Sequence, residues 1–285
     1  MKYQTFYPKQ FMTVYIDYKI KKIQELRAIQ AISESGVTII IPAKQKNKFT
    51  LLKEKFQMQF QISENKDGIK LSEILAINHE LPETGIVSIK KPLIFSSTIT
   101  DYCKTLWRED RQYTYTFAGL ITKSRHDLIS DWVSNNITKE KFSLPVTDSF
   151  FNKKRSKIFN FFNIDSTVSK TIGNLIIWSS NRGRKFPIKA WDDEYFKVLG
   201  DSQFVLCPSG LCIWSYRFFE SILCGAIPIV ESNCDAYEGF RFKYMTDDAS
   251  TFVWSKEDAE YNYRLCLERI TVAPELLKQV IATVS

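Results

Sequence analysis

Several absences narrow what this 285-residue chain can be. Its six cysteines (103, 207, 212, 224, 234 and 266) include no Cys-x-x-Cys pair, and Cys207 and Cys224 sit inside apolar runs, so the thiols read as reduced and structural, not as a zinc site. No stretch approaches the roughly 18 consecutive apolar residues of a spanning helix, and the opening "MKYQTFYPKQFMTVYIDYKIKK" lacks a secretory apolar core. A soluble, cytoplasmic protein without a membrane span is therefore expected, unless an anchor was trimmed from it. There is no internal repeat, no low-complexity tract and no signature of a nucleic-acid recognition module. The "LPETG" at 81–85 spells a sortase signal but lacks the apolar segment and basic tail that must follow near a C-terminus, so it reads as a turn.

What is present points to a large core. The chain is 44% hydrophobic and 14% aromatic, enough for one big α/β domain or two medium ones. The net charge of +7 is concentrated early, with 16 Lys/Arg against 10 Asp/Glu in residues 1–105. Most of that excess is scattered lysine ("KIKKIQ", "KQKNKF"), the mark of a solvated face, so no nucleic-acid partner is expected.

Patterning divides the chain. "MTVYI" (12–16), an amphipathic stretch "IKKIQELRAIQAISESG" with a glycine stop, and "VTIII" (37–41) make a β-α-β unit of a parallel sheet. "LSEILAINHE" follows as a candidate helix and "TGIVSIKKPLIFSSTI" as extended chain. A second set begins with the strand "YTYTFAGL", a helix opened by Ser124, the strand "NLIIWSS" and the helix "DDEYFKVLGDS", whose acidic start suits its dipole. The tail is helical from Lys256 and breaks at Pro274. The expected organisation is a Rossmann-like domain over 1–110, a second Rossmann-like domain over 111–260, and C-terminal helices over 261–285 packing back toward the first.

The most informative stretch is "FVLCPSGLCIWSYRFFESILCGAIPIV" (204–230). "FVLC" is a strand buried on both faces, Pro208 ends it, and Gly210 lets backbone approach a ligand closely. The next helix has Ser215 as N-cap, Gly225 as its stop, and Phe218, Ile222 and Leu223 toward the core. Its start falls at the carboxyl edge of the sheet, where unpaired N–H groups and a positive dipole suit a diphosphate. Arg217 adds a bidentate donor, and Glu220, three residues on, shares its helix face at the depth of a ribose. An ordinary surface ion pair is the plainer reading of two such residues taken alone.

Ser202, Phe204, Leu206, Pro208, Gly210, Ser215, Arg217, Glu220, Gly225 and Pro228 together resemble the C-terminal signature of the exostosin-like (GT47-type) glycosyltransferases of the GT-B class. Tyr195 and Leu199 match the helix before that signature, "NCDAYEGF" and "FVWSKEDA" the region after it, and "YTYTFAGLITKSRHDL" more weakly the start of the family's second domain. The resemblance implies an α/β GT-B fold, two Rossmann-like parallel-sheet domains facing across a cleft, the first (1–110) binding the acceptor and the second (111–260) the nucleotide sugar, and transfer from a UDP-sugar to a glycan hydroxyl, with an oligosaccharide or glycoprotein glycan as acceptor. Donor contacts are expected at Gly119, Arg125, Arg182, Arg184, Ser209, Gly210, Ser215, Tyr216, Arg217 and Glu220. No Asp-x-Asp triplet occurs, so neither metal nor other cofactor is expected. The residues eight before and eight after Glu220 are Cys212 and Pro228, so the Glu-x7-Glu of retaining enzymes is missing and inversion is favoured. The general base is sought in the first domain, at Asp17 after the first strand, with His79 or Glu80 as alternatives. Xylose is a slight preference among donor sugars. The alternatives are a GDP-fucose-dependent enzyme and a non-catalytic glycan- or nucleic-acid-binding protein.

Overall fold

The β-branched runs of the first third form a small all-parallel sheet in the computed structural model, which describes residues 12–143, 168–179, 190–210 and 212–284. Its strands are β1 (Thr13–Tyr15), β2 (Thr38–Ile41), β3 (Gln61–Ile62) and β4 (Ile69–Lys70), in the order β3-β2-β1-β4. Helix α1 (Ile23–Glu34) joins β1 to β2 and is buried along residues 24–33, and Gly36 ends it at φ +79°. Its N-terminus is closed by Glu25, whose carboxylate accepts from the N–H groups of Lys21 and Lys22, both at 2.7 Å.

The segment 71–80 corrects the expectation of a single helix. Only α3 (Leu71–Ile74) is helical; β5 (Leu75–Asn78) then pairs antiparallel with β6 (Glu83–Ile86), which pairs with β7 (Ile89–Lys91). Leu75 pairs with Ile86, a strand contact that overrides the weak helical spacing. The "LPETG" sequence supplies the turn into β6. Helix α2 (Thr50–Phe56) precedes β3, and α4 (Ser97–Thr105) closes this half, capped by Ser96.

The second sheet has six strands: β8 (Tyr113–Gly119), β9 (Val168–Ile172), β10 (Leu175–Ser179), β11 (Ser202–Leu206), β12 (Ile227–Val230) and β13 (Lys243–Tyr244). Their order is β13-β12-β11-β8-β10-β9, parallel except for the antiparallel edge pair β9–β10. Helices α5 (Lys123–Val133), α6 (Asp193–Gly200) and α7 (Tyr216–Leu223) cross over between strands, and α8 (Lys256–Ile270) and α9 (Pro274–Ala282) end the chain. The cap of α5 is Thr122, not Ser124: its hydroxyl accepts from the Arg125 N–H. Two separate parallel-strand sheets make the protein α/β, as the GT-B reading requires.

Behind the second sheet one buried arginine holds three backbone ends. Arg111 donates to the carbonyls of Gly200 (2.9 Å), Ser202 (2.8 Å) and Cys224 (3.2 Å), which include the C-terminal carbonyls of α6 and α7. At Gly225 (φ +77°) a Cβ would fall 2.5 Å from its Nη2, so glycine is needed both for the turn and for this guanidinium.

The two halves are tied together. Asp193 accepts from Lys55 (2.7 Å) and Tyr102 (2.7 Å) of the first half and from Trp191 (2.9 Å). The Phe95 N–H donates to the Ile270 carbonyl at 2.7 Å, and α9 packs on α1 through the buried Leu277 and Ile281. Among the described residues no helix is long and apolar enough to cross a membrane.

Candidate functional site

Parallel strands end their carbonyls at one edge of the sheet, and the loops after β8 and β11 bring the predicted donor residues to that edge. The signature helix α7 begins there. Ser215 is its N-cap, with Oγ accepting from the Arg217 N–H at 3.3 Å, and its own N–H donates to the Tyr237 hydroxyl at 2.7 Å. Phe218, Ile222 and Leu223 are fully buried and seat the helix on the sheet.

Arg217 is buried, at 6% exposure, and held rigidly. Its Nε donates to the Ala118 carbonyl at 2.5 Å, its guanidinium lies 4.6 Å from the centre of the Phe117 ring, and its Nη1 has no hydrogen-bond partner. Gly119 makes this possible: a Cβ there would stand 2.3 Å from Nη2, and the backbone φ is +140°. Arg125 repeats the device. Its Nε donates to the Ser209 carbonyl (3.3 Å) and its Nη1 to the Leu120 carbonyl (3.2 Å), while a Cβ on Gly210 would touch its Nη2 at 3.0 Å. Both glycines expected to admit a ligand thus admit an arginine. Arg125 and Arg217 flank the start of the 207–215 loop, and Ser209 Oγ donates to Glu231.

Glu220 does not pair with Arg217, so the surface ion pair is not what these two residues form. Its Oε2 accepts from the Tyr195 hydroxyl at 2.7 Å, and it lines a recess facing α1. Burial raises the carboxyl above its ordinary range, against the opposing pull of the Tyr195 hydrogen bond and of the positive charges of Arg27 and Arg217. Burial likewise holds the Arg27 guanidinium down at about 10, with Glu220 acting in the other direction.

The first half reaches the site through the turn after β5. The Tyr216 hydroxyl is 2.6 Å from His79 Nδ1, and Trp214 Nε1 donates to the His79 carbonyl at 3.1 Å. Burial, then the nearby Lys22, lowers the His79 pKa from 6.5, so the ring is neutral at physiological pH. Asp17 does follow β1, but its oxygens accept from the N–H (3.0 Å) and hydroxyl (2.5 Å) of Ser72, closing the start of α3. Glu80 is exposed in the same turn as His79. Arg182 and Arg184 lie outside the described residues. Among the described residues no group of three or more His, Cys, Asp or Glu side chains is arranged to hold a metal.

Gln24 and Arg27 escape a motif-based reading, and Tyr195, which the family resemblance picks out, carries no role there. Tyr195 is legible only as a helix position. A signal for the other two exists in α1, where Gln24, Arg27 and Gln30 recur every third residue on a helix otherwise apolar enough to be buried.

The chain is similar to a solved structure described as the crystal structure of a GtfA/B complex, at 12% identity and a TM-score of 0.34 over 89% of this chain. The chain spans 48% of that structure's length. No curated protein matches. The family model of the Exostosin GT47 domain matches residues 77–238, from the His79 turn through the whole of the signature helix to the loop beyond β12. With more than half of its length so matched, the chain belongs to the exostosin GT47 family of glycosyltransferases.

Proposed function

We propose that this chain transfers a sugar from a UDP-sugar to a glycan hydroxyl with inversion at the anomeric carbon and without a metal, with xylose as the slightly preferred donor sugar. The observation that carries the reading is Arg217: a buried guanidinium at a helix N-terminus, fixed by Ala118 and Phe117, with an N–H left unpaired. Such a group suits the charge that develops on a departing diphosphate, because it is oriented before reaction and need not reorganise. Arg125 and the first N–H groups of α7 add to it. In this reading Glu220, one turn along, accepts from the ribose.

The acceptor hydroxyl needs a base, and the observations favour His79 over Asp17. Asp17 spends both oxygens on Ser72, whereas His79 is neutral and lies against the first turn of α7. In this reading His79 takes the proton from the attacking hydroxyl as the anomeric bond to the diphosphate breaks.

The test is a thermal-shift and transfer panel of UDP- and GDP-sugars with wild type, Arg217→Ala and Glu220→Ala. Stabilisation by UDP and its loss in both variants supports the reading. Stabilisation by GDP alone moves the assignment to a fucosyltransferase-like enzyme, undiminished transfer in both variants overturns the site, and a product that keeps the donor's anomeric configuration overturns inversion.

A further inference from the structure

The recess beside Glu220 carries more polar groups than the reading above uses. It lies between α1 and α7, lined by Ile23, Gln24, Arg27, Phe95, Tyr216 and Glu220, with room of about 10 Å³, one water's worth. Gln24 and Arg27 are each only 4% exposed. Even so, Nε and Nη1 of Arg27 and Nε2 and Oε1 of Gln24 make no hydrogen bond. The Gln24 amide lies against the Tyr216 hydroxyl without closing one. Stacking between Trp191 (5.0 Å) and Phe95 (5.8 Å) holds the Arg27 guanidinium in place but leaves those N–H groups unsatisfied. Four unpaired buried polar atoms one helical turn apart are a cost that folded chains normally avoid.

Their chemistry specifies what satisfies them. Arg27 can only donate and the Glu220 carboxylate can only accept, so the pair suits a group that accepts on one side and donates on the other. A phosphate oxygen fails against Glu220, and an apolar group leaves all four atoms unpaired. A hydroxyl fits both. We propose that Arg27 and Gln24 are ligand-binding residues that, with Glu220, hold one ribose hydroxyl of the bound nucleotide in this recess. Arg27 donates to the hydroxyl oxygen, the hydroxyl donates to Glu220, and Gln24 secures the remaining side. This rests on the reading of Glu220 as the nucleoside-binding carboxylate and adds that the first half of the chain completes that subsite.

The experiment is calorimetric titration of wild type, Arg27→Met, Gln24→Leu and Glu220→Gln with UDP and GDP and their 2′-deoxy and 3′-deoxy forms, together with melting of the ligand-free proteins. Wild type should lose about tenfold or more in affinity when the hydroxyl in the recess is absent. Arg27→Met and Gln24→Leu should lose a comparable factor for the ribonucleotide yet bind the deoxy form as wild type does, with ligand-free melting temperatures equal or higher. A melting temperature that falls while affinity holds marks these residues as structural and overturns the proposal. Unchanged affinity in both variants with a loss in Glu220→Gln overturns it while leaving the donor reading intact; unchanged affinity in Glu220→Gln as well overturns the donor reading beneath it.

Discussion

Gly119→Ala probes the proposed donor edge most directly. The new methyl would stand 2.3 Å from Arg217 Nη2, where ordinary contact begins at 3.4 Å, so the guanidinium must withdraw by about an ångström. The Arg217–Ala118 hydrogen bond, 2.5 Å at present, does not survive that movement. Losing a charged hydrogen bond costs about 1.5–3 kcal/mol. An alanine held at φ +140° costs about 1–3 kcal/mol more. Partial relaxation brings the total to roughly 3 kcal/mol, or about 6–12 °C in melting temperature for a chain of this size. The decisive assay is a double-mutant cycle with Arg217→Ala, read by denaturant unfolding. With the guanidinium gone the backbone cost persists but the clash disappears, so the two changes should couple by about 1 kcal/mol or more. Additivity within about 0.5 kcal/mol would refute the idea that this glycine exists to admit Arg217.

Glu220→Gln should raise stability at neutral pH while abolishing nucleotide binding. Burial raises the folded pKa of Glu220 above its ordinary 4.5, so over the window between the two the folded state keeps a proton that the unfolded state has lost. Stability therefore falls as pH rises through that window, and the melting-temperature advantage of the glutamine variant should be absent below pH 4.5, grow through the window and level off above it. A constant difference across pH would count against a buried, charged Glu220. Thiol labelling of the native protein should be selective. Cys212 and Cys234 are partly exposed and should react first, whereas Cys103, Cys207, Cys224 and Cys266 are buried and burial pushes the Cys207 thiol up to about 12. Rapid modification of all six in the folded state would contradict this packing.

How much of this is legible in the sequence depends on the range of the interaction. The strand-helix-strand block at 202–230 is readable from its residues because its cap, stop and apolar faces are local: Ser215, Gly225 and Phe218 each act within one turn. The break of 71–80 into helix and strand is not, since it depends on pairing Leu75 with Ile86 across a turn. The cap at Thr122 competes with Ser124 two residues on, and only the geometry of the β8 loop chooses between them. At the site, Arg217 and Glu220 stand out by motif. What each touches does not, because Arg217 rests on Ala118, Glu220 on Tyr195, and His79 meets Tyr216 from the other half of the chain. Gly119 and Gly210 announce that something comes close, without saying that it is an arginine from elsewhere in the chain.

The packing of α9 on α1 sets an order of events during synthesis. The side chains that cover helix α1 from this side, Leu277 and Ile281, are made some 250 residues after it, on the order of tens of seconds later at ordinary elongation rates. Until then the side of α1 that α9 covers stays open, although β2 and β5 already pack on the helix, and the Phe95–Ile270 hydrogen bond that joins the halves has no acceptor. The nascent first half is thus a natural client for a chaperone. A stop codon or frameshift just before α9 should be harmful in itself, because it withdraws the lid from a core begun some 250 residues earlier.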